Sequence, residues 1–493
     1  MALVRQPNWL QQRASLTPHR LALVYGAERW SFAELEGRTL AMAHLLSAQG
    51  IRRGDRVGTL MRNGTGYVVL MHALMRLGAI LVPLNNRLTA TEVGWQLQDA
   101  QVRTLIHDRH NADVARSVTA QARTDLAWEL LPDTDLAKDD NDLPGELDLS
   151  AVHAIVYTSG TTGKPKGAML TYGNHWWNAV GSALNLGLHD DDRWLACLPL
   201  FHVGGLSILF RSVIYGIPVV VHPSFDADAV IRTIDHERVT IVSLVPTMLQ
   251  RLLDSRGEAP FSSSLRCVLL GGGPAPRLLL ERCADMHLPI IQTYGLTETA
   301  SQIATLAPHD ALRKLGSAGK PLLPAELRIE CDGGVVPAGK IGEIVLRGPM
   351  VMAGYFGQPD ATERTLKSGW LHTGDLGYLD NEGYLYVVDR RDDLIISGGE
   401  NVYPAEVEAV LLAHHAVEEA GVAGVPDQRW GQAVVAAVKL KSGATVQPEA
   451  LLDFCRERLA RYKVPVRLEF VDALPRNAVG KLLRSRLSRP NVG

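Results

Sequence analysis

The sequence predicts an α/β fold with a second, smaller α+β domain at its C-terminal end, and three observations predict it. Short apolar runs with strand character alternate with helical stretches through most of the chain, which is the rhythm of largely parallel, buried sheets. From about residue 325 the texture changes to short β segments, and a compact helix–strand–strand–helix unit follows them. The length, 493 residues, exceeds what one hydrophobic core usually supports, so two or more domains are expected.

Taken in order, SFAELEGRTLAMAHLLSAQG (31–50) and GYVVLMHALMRLGA (66–79) read as helical and flank the strand-like RVGTLM (56–61). Further strands are expected at 98–107, 151–158, 218–221, 239–244 and 266–270, each beside a helical segment. The acidic, turn-rich stretch 133–150 reads as a solvated loop leading into AVHAIVYTS, since clustered Asp, Asn, Pro and Gly oppose regular structure. ELRIECDGGVVP, GEIVLRG and GYLYVVDRR supply the β-rich portion. The closing unit runs helix (PAEVEAVLLAH), strand (VEEAGVAGVP), strand (QAVVAAVKL), helix (EALLDFCRERLARY) and a basic tail. The charged tetrad Arg390-Arg391-Asp392-Asp393 follows a strand and marks the boundary, giving domains 1–391 and 392–493.

Composition excludes several functions. Hydrophobic content of 46% and charged content of 21% suit a globular protein, and a net charge of −3 offers no general attraction for nucleic acid. The five cysteines are scattered without a CxxC pair, which argues against a disulfide framework and a zinc site and for reduced thiols in the cytoplasm. The first twenty residues contain no apolar h-region, so no signal peptide is expected, and no apolar run is long enough to insert in a membrane.

An anionic ligand must therefore be held locally, and Thr158–Gly167 has the composition to do it. This segment follows a strand and holds three glycines, four hydroxyls and two lysines: Thr158, Ser159, Gly160, Thr161, Thr162, Gly163, Lys164, Lys166 and Gly167 among them. Glycine lets backbone N–H groups approach an anion, hydroxyls donate further hydrogen bonds, and lysines add point charge. It is not a P-loop, because only two residues separate Gly160 from Gly163-Lys164. The Walker spacing does occur at Gly334–Lys340, but Ile341 follows where Ser or Thr is required, and the stretch joins two β runs. It reads as a hairpin turn.

Four further clusters are weaker singly. In Gln292–Thr299, Tyr294 offers a face for a purine, and Thr297 beside Glu298 suits a phosphate-bound Mg²⁺; an N-cap Thr opening a helix fits the same letters. Gly271-Gly272-Gly273 ends a strand where open α/β sheets take ligands, or is a tight loop. Asp375 can accept both hydroxyls of a ribose with Arg390 nearby, or each belongs to a structural ion pair. Lys481, in PRNAVGK, is a cation on a loop or part of a solvated tail.

Together the clusters fit one chemistry: attack of a carboxylate on the α-phosphate of ATP. That site must hold a triphosphate, adenine, ribose and metal, and set a cation where carboxylate and phosphate charges meet. It needs no protein nucleophile, and no Ser/His/Asp or Cys/His arrangement stands out.

In this order YTSGTTGKPKG, YGLTET, HTGDLGYLDNEGYLYVVDRRDDLIISGGENVYPAEVE and PRNAVGK resemble the signature motifs of the adenylate-forming superfamily of acyl-CoA synthetases, peptide-synthetase adenylation domains and luciferases. The resemblance covers essentially the whole chain. It implies a large N-terminal domain of α/β subdomains plus a β-barrel, and a small mobile C-terminal domain.

It also implies roles. Thr158–Gly167 would bind the β/γ-phosphates, with Thr161 at the metal. Gly271, Gly272, Gly273, Tyr294 and Gly295 would frame adenine, Thr297 would touch the α-phosphate, and Glu298 would hold Mg²⁺. Asp375 and Arg390 would bind ribose. Asp392 would be the hinge, Lys481 the catalytic cation, and Gly398, Gly399 and Glu400 would line the CoA channel after the small domain swings.

Residues 170–216, with SLRCVLLGGGPAP and QTYGLTETASQIATL, resemble more narrowly the o-succinylbenzoate–CoA ligases of menaquinone biosynthesis. That likeness implies ATP, Mg²⁺ and coenzyme A as partners. It makes His202 a wall of the acyl pocket near Gly204 and Gly205, with Ser301 and Gln302 as further substrate contacts. By its letters alone His202 fits a packed core histidine equally well. Other aryl or medium-chain acids, a carrier protein as acceptor, and a homo-oligomer stay open at this point.

Overall fold

The computed structural model describes residues 4–118, 124–127, 143–158, 165–273, 275–390, 393–397, 400–427, 430–459, 461–476 and 482–487. Two sheets dominate its larger part. Strands Arg56–Leu60, Ile80–Pro83, Thr104–His107 and Thr124–Ala127 run parallel beside Val152–Thr158, and Lys166–Thr171 and Gly354–Tyr355 close that sheet antiparallel. The second sheet is parallel through Leu21–Tyr25, Val219–Val221, Trp194–Ala196, Ile241–Leu244, Cys267–Leu270 and Ile290–Leu296, with antiparallel strands at both edges.

Helices Phe32–Ala48, Thr65–Leu77 and Val203–Tyr215 fill the space between the sheets, where Phe32, Leu74, Phe210 and Trp194 share one core. Alternation on the strands feeds separate outer cores. Leu60 and Val82 meet the helix Ala90–Asp99, whereas Leu195 and Val242 meet helices Ala227–His236 and Pro246–Arg256. Both sheets are thus covered on two faces, which is why their strands read as continuous apolar runs. Capping boxes start three helices at Ser31/Glu34, Thr89/Glu92 and Thr171/Asn174, each satisfying two orphan N–H groups.

Residues 326–390 build a six-stranded antiparallel sheet in the part expected to be a β-barrel. Glu326–Cys331 and Gly342–Arg347 pair as a hairpin, so the Walker-spaced stretch Gly334–Lys340 is indeed a β connection; Gly334–Val335 adds a short strand to it. The final unit has its own sheet and core, from Ile395 and Val402 to Val464 and Leu468.

Three expectations need correction. The run 98–107 holds a strand only at Thr104–His107, because 98 and 99 finish the helix Ala90–Asp99. Glu146–Asp148 is not free loop but pairs with Arg5–Pro7, a long-range partner that local composition does not reveal; 133–142 lies outside the described residues. The C-terminal helix stops at Arg456, and Arg467–Phe470 forms a strand parallel to Gly431–Leu440.

Candidate active site

The phosphate segment is entered and left on paired strands. Thr158 stands opposite Lys166 in the antiparallel ladder of Val152–Thr158 with Lys166–Thr171. Ser159, Gly160, Thr161, Thr162, Gly163 and Lys164 lie outside the described residues. Gly167 is required by packing, since a Cβ there would come within 2.7 Å of Ile155 Cγ2. Tyr157 ties this strand to the helix Ala90–Asp99 through its hydroxyl, which donates to Asp99 Oδ2 at 2.7 Å.

Gly271, Gly272 and Gly273 follow the carboxyl end of Cys267–Leu270, where Leu270 is in register with Gln292 of the neighbouring strand. Gly272 adopts φ +80°, a left-handed conformation that favours glycine, and a Cβ on Gly271 would meet Thr293 Cγ2 at 2.9 Å. The first of the three glycines therefore runs close beside Thr293, the residue before Tyr294. The Tyr294 hydroxyl donates to Asp375 Oδ2 at 2.7 Å, so the residues expected at adenine and ribose are in direct contact. Asp375 is buried and its backbone stands opposite Arg390 in the next ladder.

The segment Thr297–Thr299 is a single 3₁₀ turn between two antiparallel strands, not the opening of a helix. Ala300 and Ser301 have φ of 53° and 111°, which reverses the chain. Gly295 makes the reversal possible: a Cβ there would lie 1.7 Å from the Ser301 carbonyl oxygen. Helix start and tight hairpin share the same Thr, Glu and Gly letters, and the long-range pairing of 290–296 with 301–305 decides between them. Thr297 and Glu298 sit at the tip of this hairpin, packed against Lys166–Thr171. Glu298 Oε1 accepts a hydrogen bond from the Tyr355 hydroxyl at 2.8 Å.

His202 immediately precedes the helix Val203–Tyr215, packed edge-on to Phe201 with ring centroids 4.5 Å apart. Burial pushes its pKa down to about 4, helped by the Arg87 charge, and its buried Nε2 has no hydrogen-bond partner among the described residues. A neutral imidazole with an unsatisfied nitrogen suits a pocket wall better than a filled core position. Gly205 lets the helix start close against the preceding turn, since a Cβ would lie 2.3 Å from the Pro199 carbonyl oxygen; Gly204 beside it is looser. Gln302 is buried, and neither its amide nitrogen nor its oxygen has a partner among the described residues.

Sequence reasoning missed the support of this hairpin. Asn178, on the helix Tyr172–Leu186, donates to the carbonyls of Thr299 (3.1 Å) and Gln302 (2.6 Å). Its own Oδ1 accepts from Arg211 at 2.6 Å. Arg211 is wholly buried, stacks over Trp194 at 5.3 Å, and has no carboxylate partner among the described residues. Asn174, one turn earlier, donates to the carbonyls of Pro349 and Val351, both at 2.8 Å. One helix face thus holds both backbone segments around Glu298. Also missed was a basic cavity of about 240 Å³ next to Phe201, lined by Arg62, Arg87 and His110 with Asn63 and Cys197.

In the small domain, Arg476 and Leu482 form an antiparallel bridge and Leu483 N–H donates to Pro475 O at 2.8 Å. Lys481, between them in sequence, lies outside the described residues, as do Asp392, Gly398 and Gly399. The backbone of Glu400 pairs with Ser397. Arg484 fixes the end of the chain to Asp393 at 2.8 Å and to Glu408 at 2.9 Å.

Known proteins resemble the chain over its whole length. The family model of AMP-binding enzymes matches residues 10–356, and the model of the AMP-binding enzyme C-terminal domain matches 406–481. A 2-succinylbenzoate–CoA ligase of Geobacillus kaustophilus is 54% identical over 489 residues, covering 99% of this chain and 98% of its own. The o-succinylbenzoate CoA synthetase of Bacillus subtilis in complex with the acyl-adenylate intermediate OSB-AMP superposes with a TM-score of 0.93 at 47% identity, covering 99% of both chains. A double mutant of the same synthetase, bound to the product analogue OSB-NCoA, is also 47% identical and covers 98% of both chains, but its TM-score is 0.77.

Proposed function

This chain belongs to the AMP-binding enzyme family, and from that membership we propose that it joins o-succinylbenzoate to coenzyme A in two steps at one site, as a step of menaquinone biosynthesis. In the first, a carboxylate oxygen attacks the α-phosphorus of ATP, the bond to the β-phosphate oxygen breaks, and pyrophosphate leaves. In the second, the CoA sulfur, its proton released to water, attacks the acyl carbon of the adenylate, and AMP departs with the bonding electrons. The observation that carries the substrate is the 54% identity to a 2-succinylbenzoate–CoA ligase across almost the full length of both chains.

Each assigned residue has one task. The hydroxyls, N–H groups and lysines of 158–167 hold the β- and γ-phosphates, so that pyrophosphate leaves already neutralised. Tyr294 and Gly271–Gly273 form the adenine slot, and Asp375 with Arg390 takes the ribose. Thr297 meets the α-phosphate. The carboxylate of Glu298, with Thr161, fits a Mg²⁺ ion, which prefers hard oxygen ligands and is usually held by one or two protein groups plus phosphates. When bound, that ion spreads the negative charge that builds on the phosphates. Lys481 brings positive charge to the point where acid and α-phosphate meet.

His202, Gly204 and Gly205 form the acyl wall, kept uncharged at neutral pH by the burial of the imidazole. Ser301 and Gln302 face the acid from the hairpin, and the unsatisfied amide of Gln302 is the support for that reading. The two guanidinium groups of the adjoining cavity suit the phosphates of coenzyme A. We set the domain boundary at 391/392, supported by the separate sheet and core that begin at Ile395. A swing about Asp392 would exchange Lys481 for Gly398, Gly399 and Glu400. The two TM-scores given by one relative in different complexes support such an alternation. A cytoplasmic location completes the proposal, with the cysteines as free thiols.

Isotopic exchange between ATP and pyrophosphate over a panel of acids tests the substrate. Exchange with o-succinylbenzoate is expected to exceed that with benzoate, succinate or medium-chain acids by at least about a hundredfold, the margin given by a site built around two polar ends. Equal or greater exchange with a simple aryl acid would reassign the enzyme to that acid.

A further inference from the structure

Tyr355 is not among the motif residues, yet it lies between the Glu298 turn and the strand that leaves the phosphate segment. It lies on the short strand Gly354–Tyr355, in register with Ala168 of the strand that leaves the phosphate segment. Its side chain is 7% exposed. The hydroxyl donates to Glu298 Oε1 at 2.8 Å, and the ammonium of Lys166 sits 5.1 Å from the ring centroid. The backbone repeats this link. Met352 N–H donates to the Glu298 carbonyl at 2.8 Å, Phe356 N–H to the Gly167 carbonyl at 2.8 Å, and Ala353 N–H to the Met169 carbonyl at 2.9 Å. Residues 352–356 therefore bind the Glu298 turn to the phosphate strand on both sides of the tyrosine.

A glutamate side chain has three rotatable bonds, and an untethered carboxylate at a hairpin tip samples several rotamers. A hydrogen bond to one oxygen from a buried, strand-held phenol removes most of that freedom and fixes where the other oxygen lies. We propose that Tyr355 is a positioning residue for the nucleotide's divalent cation: it holds Oε1 of Glu298 so that Oε2 faces the cation, while its ring seats Lys166 beside the phosphates. This rests on the reading of Glu298 as a metal ligand. Outer partners of metal-binding carboxylates commonly change metal affinity or activity by about ten- to a hundredfold when removed.

The test uses the full-length enzyme, Mn²⁺ as the probe cation and a non-cleavable α,β-methylene analogue of ATP, with Mn²⁺ binding followed by electron paramagnetic resonance. Tyr355→Phe keeps the ring and its contact with Lys166 and deletes only the hydroxyl. It is expected to weaken Mn²⁺ binding about tenfold, to raise the Mg²⁺ concentration needed for half-maximal adenylation by a similar factor, and to leave the KM for the acid unchanged. Glu298→Gln is expected to weaken Mn²⁺ more, and the double variant no further than Glu298→Gln alone, which is the signature of a hydroxyl acting on the cation through that carboxylate. Should Glu298→Gln leave Mn²⁺ affinity unaltered, the metal-ligand reading of Glu298 fails. Should Glu298→Gln weaken it while Tyr355→Phe does not, or should the two effects simply add, the positioning role of Tyr355 is overturned and the Glu298 reading stands. A melting curve for each variant, with binding measured well below the transition, keeps a stability loss from imitating either result.

Discussion

Lys481→Ala is expected to slow acyl-adenylate formation by about a hundred- to a thousandfold, the cost of removing one group aimed at charge developing in a transition state. Two anions must approach in this step, the acid's carboxylate and the α-phosphate, and their repulsion is the barrier that a cation lowers. No cationic side chain of the larger domain is assigned to that point, where Thr297 offers only a hydroxyl; Lys166 is engaged with Tyr355, and the phosphate segment serves the leaving group. The second half-reaction has no such repulsion: the CoA thiol attacks a carbonyl already activated by AMP. The same variant, supplied with preformed o-succinylbenzoyl adenylate and CoA, is therefore expected to form thioester at close to the unaltered rate. Single-turnover assays of the two half-reactions separate the cases. An equal collapse of both would show that Lys481 serves folding or thioester formation rather than adenylation.

The second large effect is a loss of stability in mild acid. His72, His153 and His175 are buried between the two large sheets, where His153 Nδ1 and His175 Nε2 are 3.3 Å apart and Phe210 stacks on His175 with centroids 4.4 Å apart. Desolvation holds the His72 and His175 pKa values down to about 3 and that of His153 well below its ordinary value, with neighbouring histidines and Arg211 adding to the effect. An unfolded histidine takes up its proton near pH 6.5. Between that value and pH 3 the unfolded chain binds more protons than the native one, so stability falls as pH falls. It is fully present above pH 6.5. Each group removes about 1.4 kcal/mol per pH unit below that point, and the three together roughly 6 kcal/mol by pH 5. That is comparable with the whole stability of many domains. Urea titrations from pH 7.5 to pH 5 are expected to show the unfolding free energy dropping with a slope of three protons or more, since buried His202, held down to about 4, adds to the three. A flat profile over that range would contradict the burial of these rings as neutral groups.

What could be read from the letters was what acts locally or as an ordered set of motifs. The phosphate segment, the hairpin glycines and the alternation of strand and helix depend on residues within a few positions of each other. The order of the motifs along the chain is what resembles the family. What escaped depends on contacts across long stretches of sequence. Asn178 reads as an ordinary helical residue until its carbonyl partners, Thr299 and Gln302, arrive from more than a hundred positions away. Arg211 reads as a surface cation on a helix, because nothing nearby in sequence says that Trp194 will cover it. The strand Arg467–Phe470 alternates charged and apolar residues too briefly to signal itself before Gly431–Leu440 provides its partner. The YGLTET turn is ambiguous for the opposite reason: its letters suffice for a helix start and for a tight turn, and only the second strand selects the hairpin.

The most direct measurement is a product analysis with CoA withheld and then supplied. With ATP, Mg²⁺ and o-succinylbenzoate alone, the enzyme is expected to release one pyrophosphate per active site and to retain o-succinylbenzoyl adenylate, identified by its mass. Added CoA should then convert that adenylate to o-succinylbenzoyl-CoA and AMP in equal amounts. Release of ADP and phosphate, or an adenylate that CoA does not discharge, would contradict the two-step account.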